Sequence, residues 1–247
     1  MSQRILINKR IKKGKTGTLD MILSNFISHA SHFEDFILFY FFHNVTKGYY
    51  IDVGANDPNL ISVTKAFYDR GWNGINVEPL PDKYQLLQKF RPRDINLKFG
   101  AGNYEGEANL LIKGIGFGDM STLSYNEINN NSKIIKIRIT TMANICKMYV
   151  PKGIKIQFCK IDVESYEKNV LLGFDFNNYR PQIFCIESLV NKTTNIGEYK
   201  EWEYILKSND YEFGYKYILN RFYYDKRIKG LKEKFFGIEH YVKAYRK

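Results

Sequence analysis

At 247 residues the chain is long enough for one sizeable α/β domain with its own core, so no metal or disulfide staple is needed to account for folding. Lys and Arg outnumber Asp and Glu by 37 to 26, a balance that favours an anionic partner: a phosphorylated or nucleotide-linked metabolite, nucleic acid, or an anionic membrane face. The longest apolar run, FILFYFF at 36–42, falls far short of the ~20 residues of a membrane span, and no charged-then-apolar leader opens the chain, so a soluble cytoplasmic protein is expected, with at most peripheral membrane contact.

Taken in chain order, Arg4, Lys9, Arg10, Lys12, Lys13 and Lys15 make a basic start without an acid, which reads as a solvated terminus. His29 and His32 in SHASHFEDF are spaced i, i+3 and would share a face at a partly buried helix start; no metal motif includes them. His43 and His240 carry little signal. From about residue 46, apolar runs alternate with helical patterns. Strands are expected at 49–53, 74–78, 95–101, 154–162 and 182–188, and helices at 60–70, 81–90, 140–149, 165–173 and 198–209. This alternation implies βαβ units around a parallel sheet with covered faces.

Residues 104–139 break the rhythm with EGEANLLI, GFGDMSTLS and IIKIRITT, read as short antiparallel strands and a Gly-rich loop inserted on one rim. The glycines of GIGFGDMSTLS would let that loop move over a bound acceptor. YEFGYKYI and RFYYDKR read as a C-terminal antiparallel hairpin. No repeat or linker divides the chain, so 1–247 is read as a single domain: a basic and helical N-terminal extension over 1–45, a core over 46–225 and a basic C-terminal segment over 226–247. Of the three cysteines, Cys146, Cys159 and Cys185, the last two lie in apolar runs and read as small buried hydrophobes in a reducing compartment. Most of the nineteen tyrosines and eighteen phenylalanines alternate within strand patterns and read as core.

Four acids each end an expected strand: Asp52, Glu78, Asp162 and Glu187. Ligands of open α/β sheets sit beyond the carboxyl ends of the strands, so these acids would converge on one rim. Gly54 follows Asp52 in a turn towards a helix, where a missing Cβ lets the backbone approach a ligand. The loop lacks the G-x-G-x-x-G fingerprint, with Asn56 and Pro58 standing in it, and its acids would repel phosphates. Glu78 is placed to take both hydroxyls of a ribose. Together these features match an adenosine-bearing cofactor with a cationic tail.

The blocks SHFEDFILFYFF, YYIDVGANDPNLISVTKAFYDRGWNGINVEP, KIDVESYEKNVLLGF and PQIFCIES together resemble FkbM-type methyltransferases, over about residues 28–190. The block from 49 to 79 is the most specific part. The resemblance implies S-adenosylmethionine as cofactor and the α/β class I Rossmann-like methyltransferase fold, a mostly parallel seven-stranded sheet with the C-terminal hairpin and inserted region above. It implies that Asp52, Gly54, Ala55 and Asn56 line the methionine end of the cofactor and that Glu78 holds the ribose hydroxyls. Family members often carry glycine where Ser165 stands here, a serine that could equally cap the following helix. The family's association with glycan pathways implies O-methylation of a sugar hydroxyl in bacterial surface polysaccharide or capsule biosynthesis, on an NDP-hexose, an NDP-heptose or a lipid-linked glycan.

Methyl transfer from a sulfonium is an in-line displacement, and a sugar hydroxyl needs a base, a cation, or both. Asp162, Glu164 and Glu187 are the candidates for proton removal and acceptor orientation. Asp162 and Glu187 would also hold a divalent cation, Mg²⁺ or Mn²⁺, through hard oxygen ligands. Each acid would otherwise pair with Lys or Arg, with Lys160 at hand, or cap a helix. Glu34 and Asp35 could border the cofactor site. Two other readings stay open. A phenolic or macrolide-like acceptor would require an apolar acceptor pocket. Nucleic-acid binding through the basic ends would weaken steeply with salt and survive loss of the carboxylates; no nucleic-acid module is present, so none is expected.

Overall fold

Period-2 alternation in the first strand divides its side chains between two cores. In the computed structural model, which describes residues 18–113, 120–123, 132–188 and 198–245, β1 (Tyr49–Val53) sends Tyr50 into one apolar cluster and Tyr49, Ile51 and Val53 into another. β2 (Asn73–Val77) and β3 (Ile95–Leu97) follow in parallel beside it. β4 (Gly100–Gly102), β5 (Gly106–Lys113), β6 (Met120–Thr122) and β7 (Ser132–Thr141) leave that sheet and form a second, in the order β4-β7-β5-β6. β8 (Phe158–Ile161) and β9 (Ile183–Glu187) return to the first sheet, parallel to β1. β11 (Asn220–Asp225) runs antiparallel to β9, and β10 (Tyr211–Tyr217) pairs antiparallel with β11, giving the seven-strand order β10-β11-β9-β8-β1-β2-β3.

Helices cover both faces. α1 (Thr18–Ser24), α2 (Glu34–Phe42) and α3 (Lys65–Asp69) lie on the face of Tyr50, while α4 (Pro81–Phe90) packs beside β3. α5 (Met142–Tyr149), α6 (Glu167–Leu172) and α7 (Glu203–Ser208) cover the face of Ile51. α8 (Leu231–Tyr245) returns to the first face and places Leu231, Phe235, Ile238 and Val242 in its core. Every residue of α2 is buried, as expected of a helix that is apolar nearly all round. No helix among the described residues is long and apolar enough to cross a membrane.

The same alternation builds one buried polar row. Lys160, Asp52, Asn76 and Asn96 are successive register partners across β8, β1, β2 and β3, so they share a face. Asn76 donates to Asn96 (2.8 Å) and to the buried Asp94 (3.0 Å), which also accepts from the Tyr50 hydroxyl (2.7 Å). Buried polar groups persist in such a layer because they bond one another.

Several elements differ from the sequence reading. The run at 95–101 is two strands in two sheets, since Gly100 and Gly102 press against Ile137 and Ile139 of the second sheet, leaving no room for a Cβ. The helix expected over 60–70 is confined to Lys65–Asp69. Before it, Asp57 accepts from the backbone of Asn59 and Leu60, Ile61 takes a left-handed φ of 56°, and Thr64 turns its hydroxyl to Asp52 instead of capping the helix. His29 and His32 lie in the irregular stretch ahead of α2 and share no helix face. The stretch 198–209 is a 3₁₀ turn followed by α7. The basic residues 1–15, and all of GIGFGDMSTLS but residues 120–123, lie outside the described residues.

Candidate active site

β2, β1, β8 and β9 are neighbours in the sheet, so the exits from their carboxyl ends stand side by side and bring Glu78, Asp52, Asp162 and Glu187 to one rim. Gly54 leaves β1 with φ 78°, and its N–H donates to the Val77 carbonyl at 3.0 Å. A Cβ on it would stand 1.9 Å from the carbonyl oxygen of Asp162, so glycine is what lets the loops after β1 and β8 meet. Asn56, also left-handed at φ 50°, donates its N–H to Glu78 Oε2 at 2.7 Å, and the Leu80 N–H reaches Oε1 at 2.9 Å. Glu78 is buried, which pushes its carboxyl up to about 7 against the pull of those two backbone donors.

Between these loops lies a cleft with about 440 Å³ of empty space, part of it open to solvent. Gly54, Glu78 and Asp162 supply its polar lining. Phe99, Ile137 and Tyr166 are among its apolar walls, so the second sheet closes one side. The cleft is thus a largely apolar slot with the buried Glu78 carboxyl in its lining.

Asp52 faces the buried polar row. Its Oδ2 accepts from Thr64 Oγ1 at 2.9 Å, and its Oδ1 lies 3.6 Å from Lys160 Nζ. That ammonium also stands 3.3 Å from Asp162 Oδ2 and donates to the Gly54 carbonyl at 3.2 Å. Burial works against a charged Lys160, but the carboxylates of Asp162 and Asp52 outweigh it and push its pKa up. Lys160 therefore remains a cation and ties the two cleft loops together. Ala55 is buried and Asn56 exposed at the start of the same loop.

Asp162, Glu164 and Glu187 each bring a carboxylate oxygen within 4.8 Å of the other two. Two successive left-handed residues, Glu164 (φ 53°) and Ser165 (φ 72°), turn the chain sharply here. Ser165 thus occupies the conformation glycine takes most readily, which is the residue the resemblance leads one to expect there. The N-cap position of α6 falls on Tyr166, which makes no side-chain bond there. Burial pushes the Glu187 carboxyl up to about 9, and the adjacent Asp162 carboxylate adds to the rise, so Glu187 carries a proton at neutral pH. Its buried Oε2 has no hydrogen-bond partner among the described residues. Oxygen-only ligands of this kind fit a hard divalent cation, which would displace that proton.

The start of α2 reaches the same rim. Glu34 Oε1 accepts from Asn220 Nδ2 at 2.7 Å, and Oε2 accepts from the His32 N–H at 2.8 Å. Asp35 is turned the other way, taking the Ser28 hydroxyl (2.6 Å) and the backbone N–H groups of His29 and Ala30; burial lifts its carboxyl to about 7. Sequence reasoning missed Thr64, Asn220 and Tyr166. Thr64 was hidden because it falls inside the helix expected over 60–70, whereas α3 begins only after it.

No curated protein and no solved structure matches the chain. One family model does: that of the methyltransferase FkbM domain matches residues 52–213, from the first acid of the rim into β10. With two-thirds of its length so matched, and with the cleft and the acids Asp52, Glu78, Asp162, Glu164 and Glu187 inside the matched span, the chain belongs to the FkbM methyltransferase family.

Proposed function

We propose that the protein is an S-adenosylmethionine-dependent O-methyltransferase acting on a sugar hydroxyl. The observation that carries this reading is the trio of Asp162, Glu164 and Glu187, gathered within 4.8 Å at the edge of the cleft. Carboxyl oxygens in that number suit an acceptor that presents several hydroxyls, and they ill suit an apolar phenol or macrolide. The seven-strand order, with its one reversed strand beside β9, supports a class I Rossmann-like methyltransferase core.

On this reading Glu78 takes the ribose hydroxyls, and Gly54, Ala55 and Asn56 run along the methionine end. Asp52 fixes that loop through Lys160. The cofactor supplies a sulfonium methyl group. Asp162 and Glu187 orient the acceptor, with Glu164 beside them, and are the pair that would hold Mg²⁺ or Mn²⁺. The acceptors we favour are a nucleotide-linked hexose or heptose, or a lipid-linked glycan, of cytoplasmic surface-polysaccharide assembly.

The test is to incubate the protein with S-adenosylmethionine and a panel of NDP-sugars and simple phenols, with metal and after exhaustive chelation, and to identify products by mass spectrometry. A methylated sugar is expected, formed faster with metal. Methylation confined to phenols would overturn the acceptor assignment, and full activity after chelation would remove the cation.

A further inference from the structure

A hydroxyl acceptor must lose a proton as it is methylated, and the rim holds a group of the right chemistry that the account above leaves unused. His32 stands in the bend before α2, partly exposed, with Nδ1 2.9 Å from Ser31 Oγ and 3.7 Å from Glu34 Oε1. Glu34 is itself buried and fixed twice, by the His32 N–H and by Asn220 Nδ2. Asn220 is the direct cross-strand partner of Glu187, and Glu187 shares its space with Asp162 and Glu164. The imidazole is thus linked through Glu34 and Asn220 to the strand position opposite Glu187. Both neighbours of the ring sit at Nδ1, so the tautomer protonated there leaves Nε2 as the basic atom.

We propose that His32 is the proton acceptor for the methylated hydroxyl, with Glu34 as its positioning residue and Asn220 as the brace of Glu34. In the step, Nε2 takes the hydroxyl proton as that oxygen gains the methyl group, and the sulfur that loses the methyl becomes a neutral thioether. The imidazolium then returns its proton to water. The charged groups facing the ring among the described residues are Glu34, from its own segment, and Asp162, from the end of β8. The neighbouring Glu34 carboxylate raises the imidazole above its ordinary value, with partial burial opposing and the Asp162 carboxylate adding to the rise. A base so tuned is stronger than free histidine.

This inference rests on the cofactor reading but not on the identity of the acceptor, and its test needs no acceptor. S-adenosylmethionine and S-adenosylhomocysteine differ in charge only at sulfur, so a histidine beside the reacting methyl group must sense the difference. The imidazole signals of the whole protein are titrated by NMR in each complex, with His32→Gln used to assign the resonance. The His32 midpoint is expected to lie lower with S-adenosylmethionine than with S-adenosylhomocysteine by about half a unit or more. Glu34→Gln should lower it by about one unit in the ligand-free protein. Equal midpoints in the two complexes would overturn His32 as the proton acceptor while leaving the cofactor site standing. An unchanged midpoint in Glu34→Gln would remove Glu34 from the positioning role. Failure of either compound to bind would overturn the cofactor reading and this inference together.

Discussion

Gly54 is the point where the two halves of the cleft touch, and a single methyl group tests it. Gly54→Ala puts a Cβ against the Asp162 carbonyl and forces alanine into a left-handed φ. We expect a loss of at least about 2 kcal/mol of stability in denaturant titrations, and at least tenfold weaker cofactor binding. A variant with wild-type stability would show that the loops do not meet. Glu187 makes a prediction in pH. Its carboxyl is raised to about 9 in the folded protein from an ordinary value near 4.5, so its contribution to stability is fully present below pH ~4.5 and is lost as pH rises through about 9. Glu187→Gln, which mimics the protonated form, should flatten the decline of stability between pH 7 and 9. A decline identical to wild type would remove Glu187 as its source. At this scale the sequence was informative where an acid closes an apolar run, as at Glu78 and Asp162. It offered Glu34 as a border of the cofactor site but not its partner Asn220, which lies 186 residues away.

Among the elements, α8 shows how a charge reading can hide a packing one. Residues 226–247 read as a basic segment, yet Leu231, Phe235, Ile238 and Val242 recur at helical spacing and fill the core against α2 and β11. Phe235 lies 4.3 Å from Phe41 and 5.3 Å from Tyr224, centroid to centroid, and blocks any side chain at Gly214. Phe235→Ala should therefore cost about 3–5 kcal/mol in chemical denaturation. A loss under about 1 kcal/mol would mean that α8 is only loosely docked. The helix also braces α2 directly, with Lys234 donating to the Phe41 carbonyl at 3.2 Å, and α2 begins at Glu34 on the rim. The split of 95–101 into two strands was hidden for a different reason. Its apolar character is continuous, and only contact with Ile137 and Ile139 decides where the chain leaves the first sheet.

For the molecule as a whole, the alternation of strands and helices made the parallel core legible, because buried parallel strands and amphipathic helices leave distinct periods in the sequence. The second sheet was legible as an insertion, though its part as one wall of the cleft was not, since that wall forms only when residues near 100 and near 137 meet. The formal net charge of +11 does not describe the rim, where acids predominate. The central claim is that the cleft between Gly54, Glu78 and Asp162 is a cofactor site. Its most direct test is calorimetric titration of the purified protein with S-adenosylmethionine and S-adenosylhomocysteine, with NAD as control and Glu78→Ala in parallel. The account predicts binding of the first two, none of NAD, and a clear loss of affinity in Glu78→Ala. Absence of binding by both compounds, or equal binding of NAD, would contradict it.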